Sequence, residues 1–250
     1  MQYIVLAVAP GIAICLFILF RDVYNREPGL NLIASFLIGC AALWPAMKIE
    51  NALGLKTIDG SLGGLAIFTY AIVALSEEGG KFLGLRLYAY RQKGFDEPLD
   101  GIVYSVMISM GFATAENIRY LTLYAEPGTE YHLGLFRMFT AVPAHATFAI
   151  VMGFFIGKAK FQRDINKKVL LTLAALLSAI FFHGTYDFFL LMPKYTYIGV
   201  DKGIQYLAYG GFVSLIISIV LCMKLLRYDR KISKQMFKSK ASPAEDSVQN

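Results

Sequence analysis

Apolar residues fall into seven long runs, at about 3–20, 30–47, 62–90, 101–124, 135–156, 169–192 and 204–226, divided by short polar stretches. Each is close to the length a helix needs to cross a bilayer, about 20 residues. The expected fold is all-α: a polytopic membrane helix bundle of about seven transmembrane helices over 1–226. A basic cytosolic tail, then Ser/Pro/Glu-rich, covers 227–250 and is expected to be disordered. The first run lacks a basic leader and a small-residue cleavage site, and Arg21-Asp22 ends it abruptly, so it reads as a retained helix. Trp44 fits an interface anchor, and the third run is long enough to tilt or to break at Gly79-Gly80.

Charge sets the orientation. Arg21 and Arg26, then Arg86, Arg91 and Lys93, then a cluster from Lys158 to Lys168, then the tail, follow the odd-numbered runs. The alternate loops carry only scattered cations, among them Arg119 and Arg137. The N-terminus is therefore expected outside and the C-terminus in the cytosol. Of the 250 residues 56% are hydrophobic and 17% charged, and the mean hydropathy is +0.53, which excludes an ordinary soluble domain. The net charge of +6 reads as topology and lipid-surface charge, with no nucleic acid as partner. Cys15, Cys40 and Cys222 lie in different runs without metal-ligand spacing and read as core thiols. No internal repeat is evident, which disfavours inverted-repeat transporters.

The candidate chemistry lies in ionisable groups inside apolar runs. Ser76-Glu77-Glu78-Gly79-Gly80-Lys81 places two adjacent carboxylates where a charge costs at least about 2.5–3.5 kcal/mol on insertion scales. In a helix Lys81 is i+4 from Glu77 and i+3 from Glu78 and can neutralise part of their charge; alternatively the stretch is a helix end with Lys81 as an anchor. Glu116 with Asn117, His145, and His183 with Asp187 at i,i+4 add to the set. Glu116 could instead pair with Arg119, and His183 with Asp187 could be a structural hydrogen bond. Glu116 lies about 15 residues into its run, roughly 22 Å at 1.5 Å per residue, and His183 about 14. Both fall near mid-bilayer, whereas Glu77 and Glu78 sit deeper toward the cytosol.

Three carboxylates and two histidines suit hydrolysis. One glutamate can deprotonate a water, and histidines with a carboxylate can hold a divalent metal that acidifies it. In the metal-free alternative the histidines donate to a developing oxyanion. A serine nucleophile elbow and a His-Glu-x-x-His helix are absent from the sequence, which disfavours those protease classes. Intramembrane Glu, His and Asp also mark ion paths, so an ion- or proton-coupled transporter stays open, as does a non-catalytic scaffold for a regulatory partner.

These residues sit in a wider pattern: Ala9-Pro10-Gly11; Asp22, Tyr24 and Glu27-Pro28; Glu77-Glu78-x-x-Lys81; Asp100-Gly101-Ile102-Val103-Tyr104; Gly111-Phe112-Ala113 with Glu116-Asn117. It continues through Pro143 with His145-Ala146, Met152-Gly153-Phe154, Gly157-Lys158-Ala159 and His183-Gly184-x-Tyr186-Asp187-Phe188. Along most of its length the chain resembles the PrsW-type intramembrane proteases, relatives of the CAAX prenyl endopeptidases and of bacteriocin-processing or immunity membrane proteins. The resemblance implies a multi-pass protease of the bacterial plasma membrane that makes the first cleavage of a single-span membrane protein, an anti-sigma factor, in envelope-stress signalling. It puts catalytic residues at Glu77, Glu78, Glu116, His145 and His183; Asp187 joins them as a catalytic candidate by its spacing from His183, with Lys81 and Asn117 in support. Glu116 stands where the prenyl-endopeptidase branch carries a histidine, and Asp187 where it often has an asparagine. The added negative charge favours a bound cation, with zinc on His145, His183 and Glu116 as the expected set, Glu77 or Glu78 as base and Asp187 orienting His183.

Overall fold

The structure, a computed structural model, describes residues 3–195, 206–207 and 209–241. Every regular element among them is helical: α1 Ile4–Leu19, α2 Gly29–Thr57, α3 Leu62–Ala66, α4 Leu75–Leu87, α5 Pro98–Arg119, α6 Glu130–Phe139, α7 Ala141–Phe161, α8 Ile165–Tyr195 and α9 Tyr209–Ala241. Six helical stretches are long and apolar enough to cross a membrane, and α1 is apolar but shorter. The chain is a multi-pass membrane protein.

The bundle has an inner pair and an outer ring. Of the most apolar window in each stretch, 89% is buried in α5 and 83% in α6–α7, against 28% in α2 and in α8 and 33% in α9. The outer helices turn large apolar side chains outward, such as Leu37, Leu177 and Ile216, as lipid-facing helices must. Trp44 is exposed with the Lys48 ammonium 5.3 Å from its ring centre.

Small residues allow the inner helices to touch at backbone distance. A Cβ on Gly101 would stand 2.3 Å from the Gly153 carbonyl oxygen, and one on Gly157 would stand 2.1 Å from that of Pro98. On another face of α5, a Cβ on Gly111 would fall 1.9 Å from the Phe36 carbonyl oxygen in α2. Between helices in lipid, where hydrophobicity gives no net drive, such close packing holds the pair together.

Three departures from the sequence expectation matter. The chain does not break at Gly79-Gly80, which lie inside α4; the irregularity is a π-helical segment, Ile67–Ala74, just before the glutamates. Such wide turns rotate the helix beyond them out of its regular phase and are frequent at functional sites. The fifth run is two helices, α6 and α7, joined at Thr140, whose hydroxyl donates to the Phe136 carbonyl (2.6 Å). The expected boundary at 226/227 falls inside α9, which continues to Ala241. Leu226, Asp229 and Ser233 recur on its buried face, and Ser233 Oγ donates to Glu97 Oε1 (2.7 Å), so this part of the tail is packed. The start of the seventh run at 204 and the Ser/Pro/Glu-rich end at 242–250 lie outside the described residues.

Candidate active site

Because α4 remains helical, Glu77, Glu78 and Lys81 share one face and all three are buried. The Lys81 ammonium donates to Glu78 Oε1 (2.7 Å) and, at longer range, to Glu77 Oε2 (3.5 Å). It also donates to His145 Nδ1 (3.0 Å), and it lies 4.1 Å from the centre of the Phe112 ring. The cation thus sits among the carboxylates and is not an anchor at the headgroups.

That donation assigns the His145 tautomer. An ammonium has only protons to offer, so Nδ1 accepts and Nε2 carries the hydrogen, which it donates to Glu116 Oε2 (3.0 Å). His183 is framed in a parallel way. Its Nε2 lies 3.3 Å from Asp187 Oδ2, one helical turn on, and its Nδ1 lies 2.8 Å from Glu78 Oε1. Each imidazole therefore has one nitrogen toward an outlying carboxylate, Glu116 or Asp187, and turns Nδ1 to the centre. Phe148 stacks on His183 with ring centroids 4.9 Å apart, and the two imidazoles are perpendicular at 5.3 Å.

Two further residues belong to this network. Arg137 of α6, a lone cation in the sequence, is buried at the site: its Nη2 donates to Glu116 Oε2 and its Nε to Asn117 Oδ1, both at 2.6 Å. Its guanidinium also covers the Tyr120 ring at 3.9 Å. Glu116 thus pairs with Arg137, while Arg119 is half-buried and donates to Tyr124. Glu50 of α2 is tied to the neighbourhood through Ser76 Oγ, which donates to it (3.3 Å). An unbroken line of contacts then runs Asp187–His183–Glu78–Lys81–His145–Glu116–Arg137 through α8, α4, α7, α5 and α6.

All the candidate residues named from the sequence meet in this one region. Glu77, Glu78, His145 and His183 can each direct one ligand atom so that all four atoms lie within 4.8 Å of one another. A mixed set of two carboxylates and two imidazoles fits a divalent transition metal such as zinc. Glu78 Oε2 is buried without a hydrogen-bond partner, a free donor in the middle of the set. Glu116, expected among the ligands, lies outside this group of four and is held by Arg137 and the far nitrogen of His145.

A family profile described as PrsW family intramembrane metalloprotease matches residues 27–222. The chain is 37% identical over 187 residues to "Protease PrsW" of Geobacillus kaustophilus, covering 75% of this chain and 79% of that protein. It is 36% identical to "Protease PrsW" of Clostridioides difficile, covering 75% and 78%, and 35% identical to that of Bacillus subtilis, covering 73% and 80%. No solved structure matches the chain. With these relatives, and a buried cluster of hydrolytic residues inside a membrane bundle, the chain belongs to the PrsW family of intramembrane metalloproteases and is an intramembrane protease.

Proposed function

We propose that the chain is an endopeptidase of the bacterial plasma membrane that makes the first cut in a single-span membrane protein of the anti-sigma-factor kind, with its N-terminus outside. The observation that carries the catalytic assignment is the convergence of Glu77, Glu78, His145 and His183 on one buried point. A single-span substrate fits because the cluster lies on membrane-spanning helices. The family resemblance favours an anti-sigma factor and the stress response it would trigger.

Glu77 and Glu78 differ in how firmly they are held. Glu78 is bound by Lys81 at 2.7 Å and by His183 at 2.8 Å, whereas the nearest basic groups to Glu77, the same two side chains, are at 3.5 and 3.9 Å. The looser Glu77 is the general base: it takes the proton of the attacking water as the water oxygen bonds to the scissile carbonyl carbon, and returns it to the leaving amide nitrogen. Glu78, His145 Nδ1 and His183 Nδ1 would hold the divalent cation, zinc by their donor chemistry. When bound, that cation supplies acidification of water and polarisation of the carbonyl. Glu116 and Asp187 fix the two imidazoles from behind, Arg137 holds Glu116, and Asn117 accepts from Arg137 and so positions it. Lys81 occupies the same donors, so holding a cation there would require its ammonium to release Glu78 and His145.

The test is cleavage of a single-span substrate by purified protein, with a chelator and with zinc added back. Activity lost on chelation and restored by zinc supports the reading; full activity in metal-free protein removes the metal and returns His145 and His183 to oxyanion donors.

A further inference from the structure

At the basic end of the bundle, the turn after α1 and the distal part of α9 enclose a cleft of about 300 Å³. Arg21 and Tyr24 form one wall. Arg227, Arg230, Lys231 and Lys234 form the other, at i, i+3, i+4 and i+7, which sets them on one helix face. Met223 and Leu226, one turn closer to the apolar part of α9, supply an apolar floor. No acidic residue is among the described residues that line the cleft. Asp22 and Asp229, the neighbours of Arg21 and Arg230, are buried away from it. Arg230 Nε is buried without a hydrogen-bond partner, and Arg21 is braced over the Phe17 ring at 5.0 Å.

Five cations about one cleft repel each other, and none of the described residues lining it offsets them. An ordinary orientation signal requires only that basic residues follow the membrane spans; it does not require two separate elements to aim them at a shared cavity. We propose that this cleft binds a phosphate-bearing anion and thereby ties the α1–α2 turn to α9. Arginine forks suit phosphate oxygens, and the depth of the site beside the last apolar turns of α9 suits a headgroup at the interface. The Met223 and Leu226 floor favours an anionic phospholipid as the source, since a free phosphate has nothing to place there.

The experiment uses the full chain in nanodiscs of phosphatidylglycerol mixed with phosphatidylcholine, with retained lipid counted by native mass spectrometry. Arg230→Gln with Lys234→Gln should reduce retained phosphatidylglycerol about thirty-fold in affinity, the scale for two cations near a membrane surface. Arg21→Gln, on the other wall, should weaken it about five-fold and serves as the independent probe if the α9 variant fails to fold. Lys167→Gln with Lys168→Gln, the same charge loss at the start of α8, should leave retention unchanged. Displacement of the lipid by millimolar inorganic phosphate, with the same dependence on these variants, would support the phosphate site and identify its source as soluble. Equal retention in the cleft variants and the α8 control overturns the proposal. Because none of these residues touches the active site, the outcome is independent of the protease assignment.

Discussion

The protein buries acidic side chains in two places, and it treats them in opposite ways. At membrane depth Glu78, Glu116 and Asp187 each face a cation or an imidazole within 3.3 Å. At the basic end, Asp22 and Asp229 are buried more completely than Asp187, yet neither carboxylate oxygen of either has a well-aligned hydrogen bond. Glu27, also buried there, receives the Tyr104 hydroxyl. Burial pushes Asp22 up to about 6, reinforced by the Glu97 charge, although the Glu27 amide partly opposes it. Burial likewise pushes Glu27 up to about 7. The difference is one of access to protons. Where water is near, a buried acid can become neutral; in the bilayer interior, the charges that chemistry requires must be matched by built-in partners.

The sharpest way to break this comparison is to remove the acids that chemistry requires. Glu77→Gln should lower proteolysis by about 10²–10⁴-fold, the usual weight of a general acid–base group, and Glu78→Gln, which removes a proposed metal ligand, by at least about 10²-fold. The two should separate in a second readout. Glu77→Gln should keep its zinc affinity and melting temperature, whereas Glu78→Gln strips Lys81 and His183 of their shortest carboxylate contacts and should weaken both. Wild-type turnover in Glu77→Gln would transfer the base role elsewhere.

Next in size is the pair that the sequence did not reveal. Arg137→Met leaves Glu116 charged and buried with only His145 against it, and should cost about 3–5 kcal/mol of stability, as stranding one member of a buried pair does. Glu116→Gln placed in the same chain should recover most of that loss. A melting curve of the double variant no better than that of Arg137→Met would mean that Arg137 acts through Tyr120 and packing instead.

The same physics decides which residues were legible in the sequence. Glu77, Glu78, Glu116, His145 and His183 stand out because each interrupts an apolar run, and His183 with Asp187 stands out by helical spacing. Arg137 does not, since it falls near the start of a run, where a cation reads as a headgroup anchor, and its partner lies 21 residues back. The π-helical turn is invisible because Ile67–Ala74 has the same composition as an α-helix. The helix beyond 226 was obscured by its own charge: the exposed face is basic, and the buried face is marked only by Leu226, Asp229 and Ser233. The group that could hold a metal contains Glu78 and not Glu116, a difference hidden from the sequence because spacing along the chain cannot tell which side of an imidazole a carboxylate approaches.

A third prediction concerns the cation already within the site. Lys81→Met removes the competitor for Glu78 and His145 Nδ1, so zinc affinity should rise by roughly 10–100-fold, the range over which groups adjacent to ligands tune a site. Without metal the same variant leaves two carboxylates against one imidazole, so its melting temperature should fall in chelator and recover with zinc. A melting temperature indifferent to zinc would separate Lys81 from the metal and make it a structural counter-ion.

The smallest effect tests the other half of the comparison. Glu27 titrates at the ordinary 4.5 in the unfolded chain and at about 7 in the fold, and Asp22 at 3.8 and about 6. Between those values the folded protein holds protons that the unfolded chain has released, so its stability must fall as pH rises. The contribution is intact below about pH 4, declines from there to about pH 7, and is flat beyond. Glu27→Gln stays neutral throughout and keeps a donor and an acceptor beside Tyr104, so it should flatten the upper part of that decline and leave the part due to Asp22. Thermal unfolding in detergent across pH 4 to 8, followed by tyrosine and tryptophan fluorescence, reads this as a difference between two curves. Parallel curves for wild type and Glu27→Gln would mean that Glu27 remains ionised beneath Tyr104, and that the basic end, like the active site, neutralises its acids with partners and not with protons.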